Sequence, residues 1–186
     1  MNFYFAIIGC TPKNRLTEQH DVFFGIANYL KELIPHMSNS WKECNGKFHI
    51  DSWRKVEFID NYKIEVVEKD SYSGEEKIFF INLGGYLPND MEEYHHKILI
   101  VAKTKAEAIR KAKKSPFYKK FSFKEAPSHI DEKYGVDVDE IYKIDDILLP
   151  EFKNKYSLKI TKTDTYSEDK LNVAYLSLPK LKKSDF

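Results

Sequence analysis

The chain has 186 residues, enough for one domain or two small ones packed together. Apolar residues make up 42% and aromatic residues 15%, so a packed core is affordable and intrinsic disorder is excluded. Lys+Arg (30) and Asp+Glu (29) nearly cancel, which removes any global pull toward nucleic acid or an anionic membrane. No apolar run is long enough to cross a membrane as a helix.

In chain order, residues 3–8 form a nearly continuous apolar run, the pattern of a strand buried on both faces. Ile7-Ile8-Gly9-Cys10 imitates the end of a lipoprotein signal, but the nine residues before Cys10 include no Lys or Arg, so a buried strand is expected. A long loop from Gly9 to His20 leads into a second apolar strand at 22–27. A segment of period 3.6 follows, with Leu33, Ile34 and Met37 on one face and Pro35 kinking or interrupting it. Ile64-Glu65-Val66 alternates as in a half-wet strand, and residues 71–76 predict a hairpin turn. Residues 78–83 form another doubly buried strand, with Gly84-Gly85 expected as a turn at its end. A loop to His95 and a strand at 97–102 follow. A helix opens with the capping box Thr104-Lys105-Ala106-Glu107, presents Ala108, Ile109 and Ala112 on one face, and is ended by Pro116. Leu158-Lys159-Ile160-Thr161 alternates again, and 173–178 resembles the buried strands.

The chain also resembles itself. Gly9…Glu18-Gln19-His20-Asp21 parallels Gly84…Glu93-Tyr94-His95-His96 at an offset of 75, and the two helical stripes fall into register at the same offset. His49-Ile50-Asp51 recurs as His129-Ile130-Asp131, and 62–83 recurs as 156–178. The expected fold is α+β: two pseudo-symmetric repeat units of antiparallel or mixed sheet with one main helix each. The boundaries are 1–76 and 77–186, joined without a Pro/Gly/Ser-rich linker. The third copy of the buried strand, 173–178, is expected to close the sheet of the second unit.

Gly9…His20-Asp21-Val22, His49-Ile50-Asp51-Ser52-Trp53, Ile59-Asp60-Asn61-Tyr62 and Asn82-Leu83-Gly84-Gly85-Tyr86 together resemble an uncharacterised bacterial family, domain-of-unknown-function family 1543. The resemblance covers most of residues 3–145. Trp53 stands where that family's pattern has tyrosine, and the pattern fades from Phe152 onward. The resemblance implies a bacterial, cytoplasmic protein with an internal duplication, and it carries no activity.

Five of the six histidines lie in the repeated motifs. One copy offers Glu18, His20, Asp21, His49 and Asp51; the other offers Glu93, His95, His96, His129 and Asp131. Imidazoles with carboxylates form a workable ligand set for zinc, iron or manganese, although no HExxH or similar spacing is present. The same residues serve equally well as struts that hydrogen-bond loop backbones to the sheet. His20 is expected close to His49, and His95 close to His129.

A second candidate is the stretch 110–124, with seven basic residues and no acid. Arg110, Lys111, Lys113, Lys114, Lys119 and Lys120 are interleaved with Phe117, Tyr118, Phe121 and Phe123, a composition that suits single-stranded nucleic acid. The acidic stretch that follows argues against it. Cys10 and Cys44 form no CxxC pair, which excludes a disulfide framework or a four-cysteine zinc site. They read as buried small hydrophobes of a reducing compartment. No nucleotide-binding or hydrolase motif is present. The resulting expectation is a non-catalytic binding or regulatory protein, with a protein partner such as a neutralised toxin, no cofactor and no membrane. The alternative is an enzyme dependent on a divalent transition metal held by the His/Asp loops.

Overall fold

The computed structural model describes residues 1–122, 124, 127–130 and 141–186. The elements run β1 (Asn2–Cys10), β2 (Gln19–Ala27), a 3-10 turn (Leu30–Leu33), α1 (Ile34–Ser40), a second 3-10 turn (Lys42–Cys44), β3 (His49–Lys55), β4 (Phe58–Ile59) and β5 (Tyr62–Glu68). They continue with β6 (Lys77–Tyr86), β7 (Glu93–Ala102), α2 (Lys105–Ala112), α3 (Pro116–Lys120), β8 (His129–Ile130), β9 (Ile141–Lys143) and α4 (Ile144–Ile147). The last are α5 (Pro150–Lys153), β10 (Tyr156–Lys162), β11 (Asn172–Ser177) and α6 (Leu178–Lys182). The fold is α+β, with antiparallel pairing and few, short helices. No described helix is long and apolar enough to cross a membrane.

The chain divides into two compact units, one formed by Met1–Tyr72 with Leu148–Phe186, the other by Ser73–Ile147. The C-terminal stretch departs from expectation: it packs with the N-terminal unit, because β10 pairs with β5 and β11 pairs with β3. The predicted 71–76 hairpin is absent for the same reason. β5 takes β10 and β4 as neighbours, while β6 belongs to another sheet. Likewise β11 closes the sheet of the first unit rather than the second.

In the first unit, the sheet order β11-β3-β1-β2 puts the apolar run of β1 in the interior, as its composition requires. Phe3, Phe5 and Phe24 stack across it. Leu30, Leu33, Ile34 and Met37 are buried, so the helical stripe faces a core as expected. Pro35 sits in the first turn of α1, where its missing N–H costs nothing, and marks the change from 3-10 to α geometry. Asp169 anchors the C-terminal segment. Its buried side chain accepts hydrogen bonds from the amides of Glu57 and Phe58 and lies 3.4 Å from Arg54.

In the second unit, β6 is central, with β7 on one side and β8 and β9 in succession on the other. Phe79, Ile81, Leu83, Ile100, Ala102, Ala108, Ala112 and Ile141 form its core, with Ile109 packed at the edge. The Thr104 hydroxyl accepts from the Glu107 amide, and the Glu107 carboxylate accepts from the Lys103 amide, so the helix is capped as its sequence indicates. Gly84 and Gly85 lie inside β6 rather than in a turn. Gly85 is needed because a Cβ there would stand 2.6 Å from the Phe121 carbonyl.

The two cysteines correct the sequence reading. Cys10 and Cys44 are buried but not free: they form a disulfide with Cα atoms 6.1 Å apart. Thirty-four positions separate them in sequence, so no local spacing betrays the bond.

Candidate functional site

Gly9 of β1 is paired with His20 of β2 on one side and His49 of β3 on the other. Directly paired residues of adjacent strands share a face, so both imidazoles rise beside the bare glycine. Glu18 precedes His20 by two positions and Asp51 follows His49 by two, which brings both carboxylates to the same face. The β1–β3 register slips between Ile7 and Ile8, and the β11–β3 register slips between Val173 and Leu176. Asp51 therefore stands unpaired in both ladders, a bulge that aims its side chain inward.

The four side chains converge. His49 Nε2 lies 3.1 Å from Asp51 Oδ1 and 3.3 Å from Glu18 Oε1. His20 Nε2 lies 3.4 Å from Asp51 Oδ2 and 3.5 Å from Glu18 Oε2. Each carboxylate thus turns one oxygen toward each imidazole. His49 is only 5% exposed, yet its Nε2 makes no hydrogen bond, and neither does Asp51 Oδ2. The ring nitrogen is close enough to both carboxylates but directed at neither. Burying such groups without a partner costs about 1–3 kcal/mol each, so the arrangement is suited to a group that would satisfy them together. Gly9 makes the space: a Cβ there would lie 2.7 Å from His49 Nε2 and 2.8 Å from Asp51 Oδ2. Tyr175 stacks on the His49 ring at 4.0 Å between centroids. Sequence reasoning missed Tyr175, because only the β11 irregularity carries it there.

Among the described residues, no group of three or more His, Cys, Asp or Glu side chains is already arranged to hold a metal ion. The pairwise separations are of the size that coordination demands, although they run to different oxygens of each carboxylate rather than to one shared donor apiece. Four ligands at bonds of 2.0–2.2 Å in a tetrahedron stand roughly 3.3–3.6 Å apart. The four cross-distances here run from 3.1 to 3.5 Å. Completing the shell takes rotation of Glu18 and His20, whose side chains are 42% and 44% exposed.

The remaining candidates are dispersed. Asp21 pairs with Ile8, one step along, and its carboxylate accepts from the neighbouring Val22 amide, away from the cluster. In the second unit Gly84 pairs with both His95 and His129, and Glu93 pairs with Tyr86. His96 pairs with Leu83 and stacks on Phe117 at 5.3 Å. Loss of water against that ring pushes the His96 pKa below the ordinary imidazole value, and Lys97 adds to the shift. Asp131 lies outside the described residues. His36, which the repeated motifs leave out, pairs with Glu151 at 2.8 Å and packs on Phe152, an anchor for α5.

The basic segment is differently disposed. Arg110, Lys113, Lys114, Lys119 and Lys120 are exposed, whereas Lys111 binds Glu107 at 3.0 Å and donates to the Val101 carbonyl. Phe117 and Phe121 stack on each other at 4.5 Å, and Tyr94 lies 5.1 Å from Phe121. Phe117, Tyr118 and Phe121 are half-buried rather than fully buried, and Phe123 lies outside the described residues. These rings already have partners and offer little open face for bases.

Residues 15–66 match a family model described as Domain of Unknown Function (DUF1543), a span that contains all four residues of the cluster. Among solved structures the chain resembles protein Il1583 from Idiomarina loihiensis, at 17% identity and a TM-score of 0.57, over 96% of this chain and 99% of that one. That likeness concerns the fold alone. No curated protein matches the chain.

Proposed function

We propose that this chain is a binding protein for a divalent transition-metal ion, held by Glu18, His20, His49 and Asp51. The supporting observation is the buried, unpartnered Nε2 of His49, facing a second imidazole across two shared carboxylates. Imidazole donors with carboxylates favour zinc over magnesium or calcium, which prefer oxygen alone. No thiolate is offered beside Gly9, since Cys10 is in a disulfide. Buried His49 and half-buried Asp51, whose Oδ2 is out of reach of solvent, form the preset half of the site, and the more exposed Glu18 and His20 form the half that closes. The matching pairings of Gly9 and Gly84 support an internal duplication as the origin of the motif.

Zinc titration by calorimetry on chelator-stripped protein tests the reading. Binding at micromolar or tighter affinity that His49→Ala removes is the expected result. Stripped wild-type protein that takes up no zinc, cobalt or nickel overturns it.

A second reading, a protein partner, is favoured by β11. That strand lies at the edge of its sheet and, with the residue before it, exposes Leu171 (62%), Val173 (74%) and Tyr175 (69%). Such an edge can accept a further strand. A photocrosslinking side chain at Val173 should then capture one defined protein in cells; scattered or absent products would reject this reading.

A further inference from the structure

One hairpin in each unit ends in the same kind of tip. Residues 11–18 join β1 to β2, and residues 87–92 join β6 to β7. In the first tip the Arg15 amide donates to the Pro12 carbonyl at 3.1 Å; in the second the Asp90 amide donates to the Leu87 carbonyl at 3.3 Å. The third residue of each turn is an asparagine in the left-handed region, Asn14 (φ 69°) and Asn89 (φ 62°), a conformation that asparagine tolerates better than most side chains. Two positions beyond the asparagine stands a large apolar side chain, Leu16 in one unit and Met91 in the other. Both are wholly exposed.

One exposed leucine on a loop needs no explanation. Here the same turn carries a wholly exposed apolar tip twice, and neither side chain packs into a core. The charges beside the two tips are opposite. Lys13 and Arg15 accompany Leu16, Asp90 and Glu92 flank Met91, and all four are exposed. Arg15 and Asp90 hold the same place in the turn. Asp90 keeps its charge, because the Tyr94 hydroxyl and the Glu92 amide donate to it and hold its carboxyl below the ordinary value.

We infer that the chain forms a two-fold dimer in which the 13–16 tip of each copy docks on the 90–92 tip of the other. Leu16 packs on Met91, and the cations of one loop face the carboxylates of its partner. Loops of one shape, opposite charge and matching apolar centre are complementary, and a single two-fold axis makes both contacts at once. An anionic membrane would attract the first tip and repel the second. A second copy of the chain offers each tip the opposite sign. The contacts are small and charged, so association is weak, concentration-dependent and sensitive to salt. The dimer does not depend on the metal reading.

The test is the mass of the full chain by sedimentation equilibrium over a range of concentrations. Wild-type protein should approach twice the chain mass, less readily as salt is raised. Leu16→Ser and Met91→Ser should each raise the dimer dissociation constant about tenfold or more, since each removes an apolar side chain from both contacts. Arg15→Glu and Glu92→Arg should each weaken the dimer, whereas their equimolar mixture should recover it, because the mixed pair meets opposite charges at both contacts. Wild-type protein that stays monomeric at every concentration overturns the inference. If such monomers sediment with phosphatidylserine vesicles through Lys13 and Arg15, the first tip belongs to a membrane instead. A dimer indifferent to Leu16→Ser and Met91→Ser, or a mixture no tighter than its components, also overturns it.

Discussion

A methyl group on Gly9 would stand 2.7 Å from His49 Nε2, closer than side-chain carbons approach such atoms. Gly9→Ala should therefore displace the His49 ring or Asp51 and weaken zinc binding roughly ten- to a hundredfold, the usual effect of disturbing the support of a ligand. Calorimetry on the folded variant checks it, and an unchanged affinity would remove Gly9 from the argument. Asp169 makes a separate prediction. Burial pushes its carboxyl above the ordinary value, outweighing two amide donors and Arg54. The native state then holds this proton more tightly than the unfolded chain, so the stabilisation is full below the ordinary value of 3.8 and is lost as pH rises through the native value. Relative to Asp169→Asn, wild-type melting temperature should fall over that window; a flat or rising difference would contradict the assignment. At this scale the Glu-x-His and His-x-Asp spacings around Gly9 pointed to the meeting of His20 and His49. The sequence was silent on Tyr175, which arrives through a register slip, and on the asymmetry that leaves Asp21 and His96 outside the cluster.

The strands and helices were readable where hydrophobic period and capping agree. β1, β2, β6 and β7 follow their apolar runs, and α2 begins at its Thr104 cap. Pairing was less readable. Ser71-Tyr72-Ser73-Gly74 has the composition of a hairpin turn, yet β5 finds its long partner in β10, far along the chain. Composition describes a turn locally and says nothing of which strand competes for the exposed edge. The small-residue stripe of α2 makes a prediction of its own. Ala108 and Ala112 are fully buried, so Ala108→Leu should destabilise the chain by about 1–3 kcal/mol through overpacking. A chemical-denaturation midpoint equal to wild type would show that the helix can lift without cost. The disulfide also belongs to this scale. Its sequence separation of 34 implies about 3–4 kcal/mol of loop-closure stabilisation, measurable as the deficit of Cys10→Ser in the same experiment. Equal stability of the Ser variant would mean that the thiols are not bonded in the protein as purified.

For the molecule as a whole, balanced charge and partnered aromatic rings argue in the same direction. We expect no micromolar binding to mixed oligonucleotides at about 0.15 M salt, where long-range attraction is screened within about 8 Å. A mobility shift that Lys119→Ala with Lys120→Ala abolishes would reverse that expectation. The bond between Cys10 and Cys44 closes a ring that contains the exposed segment around Lys13, Arg15 and Leu16, the last with its side chain wholly in solvent. A protease cutting after Arg15 would open the ring without releasing a fragment. The nicked protein would keep its mass, apart from one added water, and would separate into a short N-terminal peptide and the remainder only when reduced and unfolded together, because β1 is also held by its sheet neighbours. Glu18 and His20 would travel with the remainder alongside His49 and Asp51, while Gly9, the floor beneath them, would leave with the peptide.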